Sequence, residues 1–177
     1  KIETGEFTTG ILTVLKETAT INFLDIEKTY GDDDFVLSAI SNSEGLVNYS
    51  IIGPENAISF KGLQNEIVSI RNAGEVILRA TAAATTNYTE VSKEIRLTIN
   101  KAVLFAVAED VTRPYGLENP ELPVLYDGFV YEDTVEDIDT PPLALVLADM
   151  NSNVGEYSIL LVGGIDGNYT IQTSFVD

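Results

Sequence analysis

The sequence contains no cysteine and no histidine. Their absence excludes disulfides, thiol nucleophiles, most zinc sites and the Ser-His-Asp triad together. Cations are also scarce: 10 Lys and Arg stand against 28 Asp and Glu, for a net charge of −18. Phosphate backbones are repelled by such a surface, so nucleic acid is not an expected partner, and anionic membrane surfaces are disfavoured for the same reason. No apolar run approaches the roughly 18 residues of a membrane span, so the chain is not expected to be membrane-embedded. Lys1 to Gly10 lacks the apolar stretch of a signal peptide. Tryptophan is absent as well, which leaves 8 Tyr and 7 Phe as the aromatic set.

What is abundant is strand-forming material. In Glu94 to Asn100, Ile95, Leu97 and Ile99 alternate with polar residues, the period-two mark of a half-buried strand. Asn168 to Phe175 repeats the pattern, with Tyr169, Ile171, Thr173 and Phe175 on one side. Shorter candidates are Phe35 to Ala39, Val47 to Ile51, Ile67 to Ile70, Val76 to Ala82, Leu104 to Ala108, Leu143 to Leu147 and Tyr157 to Val162. Turn-forming clusters separate them, among them Gly31 to Asp34, Ser41 to Gly45, Gly53-Pro54, Asn72 to Gly74, Thr140 to Pro142 and Gly163 to Gly167. Helical periodicity is confined to two short stretches. One is Ala82 to Thr86; the other is Glu132 to Ile138, where Thr134 can cap a turn carrying Glu136 and Asp137 at its start.

Internal repetition divides the chain. Leu12-Thr13-Val14-Leu15-Lys16 returns as Leu97-Thr98-Ile99-Asn100-Lys101, and Tyr30-Gly31 returns as Tyr115-Gly116, both 85 residues later. Asn87-Tyr88-Thr89 is echoed by Asn168-Tyr169-Thr170. The expected fold class is therefore all-β, with two tandem modules each closing its own apolar interior. An Ig-like β-sandwich over 17–101 is followed by a second small β module over 102–177, either a sandwich or β-grasp-like, with at most one short helix. The joint falls near Asn100 to Ala102, and an elongated rod is expected.

Residues 1–16 are either the closing strand of a preceding module or the first strand of module one. At the 85-residue offset, the counterpart of Glu94 to Asn100 falls near position 179, so module two is expected to lack its last strand. Residues 1–16 then become a candidate for head-to-tail self-association, because an open sheet edge is a template for strand addition.

The stretch Lys28-Thr29-Tyr30-Gly31-Asp32, then Phe35 to Ala39, Ser43 to Val47, Ala73 to Ala80 and Asn87-Tyr88, resembles a bacterial Ig-like repeat. Arg113-Pro114-Tyr115-Gly116-Leu117-Glu118-Asn119-Pro120, Tyr126 to Val130, Val154 to Tyr157 and Gly167 to Ile171 together resemble the MBG domain of the YGX type. The resemblance implies a repeat in an extracellular stalk or adhesin at the bacterial cell surface, with neighbouring repeat modules as partners. It implies no catalytic residue, and the β-grasp alternative for module two also comes from it.

Asp32, Asp33 and Asp34 form the densest acidic run, and Asp133 and Asp137 lie in a second cluster with Glu132, Glu136 and Asp139. Neighbouring carboxylates repel one another, and Ca²⁺ would relieve that cost through oxygen ligands. Neither cluster has the spacing of a calcium loop, so an exposed turn and a Ca²⁺ site both stand as readings. Tyr30-Gly31 and Tyr115-Gly116 read as structural pairs, the Tyr anchoring a loop that the Gly turns. The expected function is a non-catalytic stalk or spacer. The alternatives are a carbohydrate- or mucin-binding module, which would meet a glycan or a host cell-surface protein, and an accessory module of a secreted enzyme.

Overall fold

A computed structural model describes residues 10–53 and 55–173. The strands in chain order are β1 (Ile21–Asn22), β2 (Ile26–Thr29), β3 (Phe35–Val36), β4 (Ile40–Ser41), β5 (Val47–Ile52), β6 (Ile58–Lys61) and β7 (Ile67–Ile70). They continue with β8 (Gly74–Ala82), β9 (Val91–Asn100), β10 (Ala102–Ala108), β11 (Val124–Asp127), β12 (Leu143–Val146), β13 (Ile159–Val162) and β14 (Tyr169–Thr173). The chain is all-β. Its one helical element among the described residues is a 3-10 turn at Val135–Asp137, capped by Thr134.

The long antiparallel pair β8–β9 is the spine of the first module, running from Gly74 opposite Ile99 to Ala82 opposite Val91. Ile95, Leu97 and Ile99 are buried, as the alternation predicts, and they share an interior with Val76, Leu78 and Ala80 of β8. β2 extends this sheet by pairing parallel to β9, and β5 extends it on the other side. The second sheet, β3-β7-β6, contributes Val68, Ile70 and Ile58 to the same interior. The result is a two-sheet, Ig-like β-sandwich. Leu78 and Leu97 have no exposed surface, so truncating either to Ala would cost about 2–5 kcal/mol. Tyr49 is buried among them without an orphaned hydroxyl, which donates to the Leu37 carbonyl and accepts from the Ala39 amide at 2.9 Å.

In the second module β10 is central, antiparallel to β11 and parallel to β14. β12 and β13 form a separate antiparallel pair, prolonged by a bridge between Thr140 and Ile165. No described ladder joins strands before Lys101 to strands after it. The apolar interior does not divide there. Ala102, Leu104, Ile138 and Tyr169 belong to the same buried cluster as Phe23, Tyr30, Leu78 and Leu97. Two separate interiors are the expectation from the repeats; one continuous interior is the finding. Only Lys101 separates β9 from β10, and a spacer that short leaves the two sheet systems in contact.

Other expectations change in detail. Ala82 to Thr86 is not helical, because Ala82 ends β8 and the chain then turns toward β9. The strand expected over Phe35 to Ala39 is only Phe35–Val36, and β1, β4, β6 and β11 carry too little alternation to be read in advance. Among the described residues, 10–16 make no ladder, and the first contact of that kind is an isolated parallel bridge from Glu17 to Tyr88. The rest of the strand expected over 1–16, residues 1–9, lies outside the described residues. So do Pro54 of the Gly53-Pro54 turn and the last part of the Asn168 to Phe175 strand.

Candidate functional site at the joint between the modules

The densest set of polar and aromatic contacts lies where the two modules meet. Tyr30 follows β2 and is buried, its amide donating to the Asn100 carbonyl at 2.8 Å. Tyr169 opens β14 and is buried beside it. Both hydroxyls donate to the same oxygen, Oδ2 of Asp133, at 3.0 Å from Tyr30 and 2.6 Å from Tyr169. One carboxylate of module two is thus held between a tyrosine of each module. The neutral phenols are favoured here. Burial, followed by the Asp133 hydrogen bond, pushes Tyr30 up to about 12, and the same causes in the same order raise Tyr169 above its ordinary value.

The rings form a chain of edge-to-face contacts. Tyr131 meets Tyr30 at 5.2 Å and 86°, Tyr30 meets Tyr169 at 5.5 Å and 88°, and Tyr169 meets Phe129 at 5.6 Å and 85°. A tight turn makes this possible. Tyr131 and Glu132 adopt φ of 52° and 68°, and the Asp133 amide closes the turn on the Val130 carbonyl at 2.9 Å. Two consecutive left-handed residues that are not glycine are costly. The turn aims Asp133 at both tyrosines and lets the Tyr131 hydroxyl donate to the Asp32 carbonyl at 2.6 Å. Opposite it, Gly31 has φ of 102°, and a Cβ there would stand 2.8 Å from Val130. Glycine is therefore required twice over, for its backbone and for the approach of the other module.

A second clasp lies on Asn168. Its side chain accepts from the Ala73 amide at 2.8 Å and donates to Asn72 at 3.3 Å. Asp166, the buried acid, holds the loop that presents it. Its carboxylate accepts from the amides of Asn168, Tyr169 and Asp139 at 2.7, 2.8 and 3.0 Å. Lys101 donates to the Asp166 carbonyl at 2.7 Å.

The acidic candidates divide among local tasks. Asp32 accepts from the Thr29 amide, and Asp33 is exposed. Asp34 pairs with Lys61 at 2.7 Å, and that ammonium lowers its carboxyl from the ordinary value. Asp133 holds the tyrosines, and Asp137 closes the capping box with Thr134. Among the described residues no three acids converge as a metal site would require, and the donor set does not fit a Ca²⁺ shell of six or more oxygens. The Tyr-Gly pairs also part company. Tyr30 anchors the joint, whereas Tyr115 is 65% exposed and Gly116 simply turns the chain at φ of 85°. Asp133, Tyr131, Asp166 and Asn168 carry no local signal of these contacts; only the repeated Asn-Tyr at 168–169 hinted that the position mattered.

Residues 104–176 match the sequence model of the MBG domain (YGX type). No curated protein matches the chain. Among solved structures, human protocadherin-24 EC1-2 aligns over 90% of this chain and 100% of its own, at 9% identity and a TM-score of 0.37. A second crystal form aligns over 86% and 95%, at 10% identity and a TM-score of 0.36. Scores this low leave the fold resting on the strand topology itself.

Proposed function

We propose that the chain is a non-catalytic repeat segment of a large extracellular or cell-surface bacterial protein, acting as a stiff spacer that holds other domains at a distance. The observation that carries this reading is the joint: Tyr30 and Tyr169, one from each module, share the carboxylate of Asp133. A hinge would leave such a junction wet and loosely packed. Here aromatic rings, one carboxylate and an asparagine clasp lock neighbouring modules with few residues between them. The match of residues 104–176 to the MBG domain supports a repeat-protein setting. Ladders of the length of β8–β9 suit mechanical load, since many backbone hydrogen bonds must yield together.

A glycan array probed with the whole chain tests the proposal against a binding role. A spacer retains nothing above background. Dose-dependent retention of any glycan, abolished by substituting exposed tyrosines such as Tyr115 or Tyr157, would replace the spacer with a carbohydrate-binding module.

A further inference from the structure

Two apolar features lack a covering strand among the described residues. The first is the segment Gly10 to Leu15. Ile11, Leu12, Val14 and Leu15 are 94, 88, 84 and 82% exposed, and among the described residues no ladder engages them. The second is the β12–β13 pair. Its outward face is entirely aliphatic: Leu143 stands opposite Val162 and Leu145 opposite Leu160, all exposed. Its inward face, Ala144, Val146, Ile159 and Leu161, is aliphatic too. Among the described residues neither edge of this pair carries a further strand. A sheet that is apolar on both faces is normally covered on both and extended at its edges.

The two features match in chemistry. In an extended segment, Ile11 and Leu15 point to one side and Leu12 and Val14 to the other. A strand added to β12 or β13 meets aliphatic faces on both sides, and this segment is aliphatic on both, Thr13 alone being polar between Ile11 and Leu15. A one-sided strand such as Glu94 to Asn100 would place charges on an aliphatic face.

No described ladder joins them within one chain, and the reach of the segment is short. Glu17 is bridged to Tyr88, in the connection beyond the Ala82–Val91 end of β8–β9, whereas module two begins at the Gly74–Ile99 end. The nine register pairs between those ends span roughly 27 Å at 3.4 Å each. Gly10 lies seven residues before Glu17, a reach of at most about 25 Å.

We infer that residues 10–15 of one copy add as a strand to the β12–β13 pair of a second copy. The contact joins unlike surfaces, so it is heterologous and propagates head to tail. Each chain carries a net charge of −18, so repulsion opposes the contact and added salt strengthens it.

Light scattering over a concentration series, at low and high salt, tests this with two uncharged double variants of the full chain. The donor variant is Ile11→Ser with Leu12→Ser; the acceptor variant is Leu145→Ser with Leu160→Ser. All four positions are exposed, so unchanged melting confirms folding. The wild type is expected to gain mass with concentration beyond a dimer. Each variant alone stays monomeric. Their equimolar mixture doubles in mass and stops there, because one intact donor meets one intact acceptor. A wild type that stays monomeric to its solubility limit overturns the inference. So does association that survives in both variants, or a mixture that stays monomeric.

Discussion

The Tyr30 hydroxyl lies 3.0 Å from Oδ2 of Asp133, a residue 103 positions further along the chain, and the Tyr169 hydroxyl reaches the same oxygen. The pairing joins a turn of the first module to a turn of the second. Both phenols are removed from bulk water, and the carboxylate is the acceptor that satisfies them.

Replacing Asp133 by Asn removes the charge from both hydrogen bonds and leaves two buried hydroxyls competing for a weaker acceptor. Charged hydrogen bonds contribute more than neutral ones, so the loss is about 2 kcal/mol. Urea denaturation checks it. The midpoint should fall, whereas Asp33→Asn, at an exposed position with no assigned partner, should leave it unchanged.

Stability should fall at alkaline pH. The folded chain raises Tyr30 from 10.0 to about 12, so above pH 10 the unfolded chain releases this proton first. The contribution of the neutral phenol is complete below pH 10 and is lost as pH rises through 12. Tyr169 shifts in the same direction. Chemical denaturation at stepped pH from 8 to 12 should show this decline, and Tyr30→Phe with Tyr169→Phe should make it shallower.

Gly31→Ala should destabilise by roughly 1–2 kcal/mol, because a Cβ at φ of 102° is strained and would meet Val130. A double-mutant cycle with Val130→Gly separates the two causes, because the Val130 Cβ is itself among the atoms a Cβ at 31 would meet. The clash is relieved in the double variant, while the backbone strain remains.

Much of the architecture was legible from local pattern. Ile95, Leu97 and Ile99 bury as their alternation requires, and Thr134 caps the turn that its position before two acids suggested. The joint was not legible. Asp133 looks like one acid among several, and nothing local to Tyr131 announces its φ of 52°. Repetition misled where tertiary setting differs. Tyr30 is buried and Tyr115 exposed; Leu97 is buried and Leu12 exposed, although each pair matches in sequence. Sequence similarity reports shared turn and strand chemistry, whereas burial depends on which surface arrives from elsewhere.

Calcium should leave thermal stability unchanged. Four of the five candidate acids are committed to Thr29, Lys61, the two tyrosines and Thr134, and Asp33 alone offers too few oxygens for a Ca²⁺ shell. Melting in millimolar calcium and in chelator should coincide. A rise of several degrees with calcium would reveal a native-state ligand through mass action.

The rigidity of the joint is the claim on which the spacer reading rests, and electron-electron distance measurement between two spin labels tests it most directly. The chain has no cysteine, so Lys93→Cys in β9 and Gln172→Cys in β14, both exposed strand positions, give two unique attachment points. Native Tyr30, Asp133 and Tyr169 should yield one narrow distance distribution. Tyr30→Ala with Tyr169→Ala should broaden it while both modules stay folded. A distribution as broad in the native chain as in that variant would contradict the account.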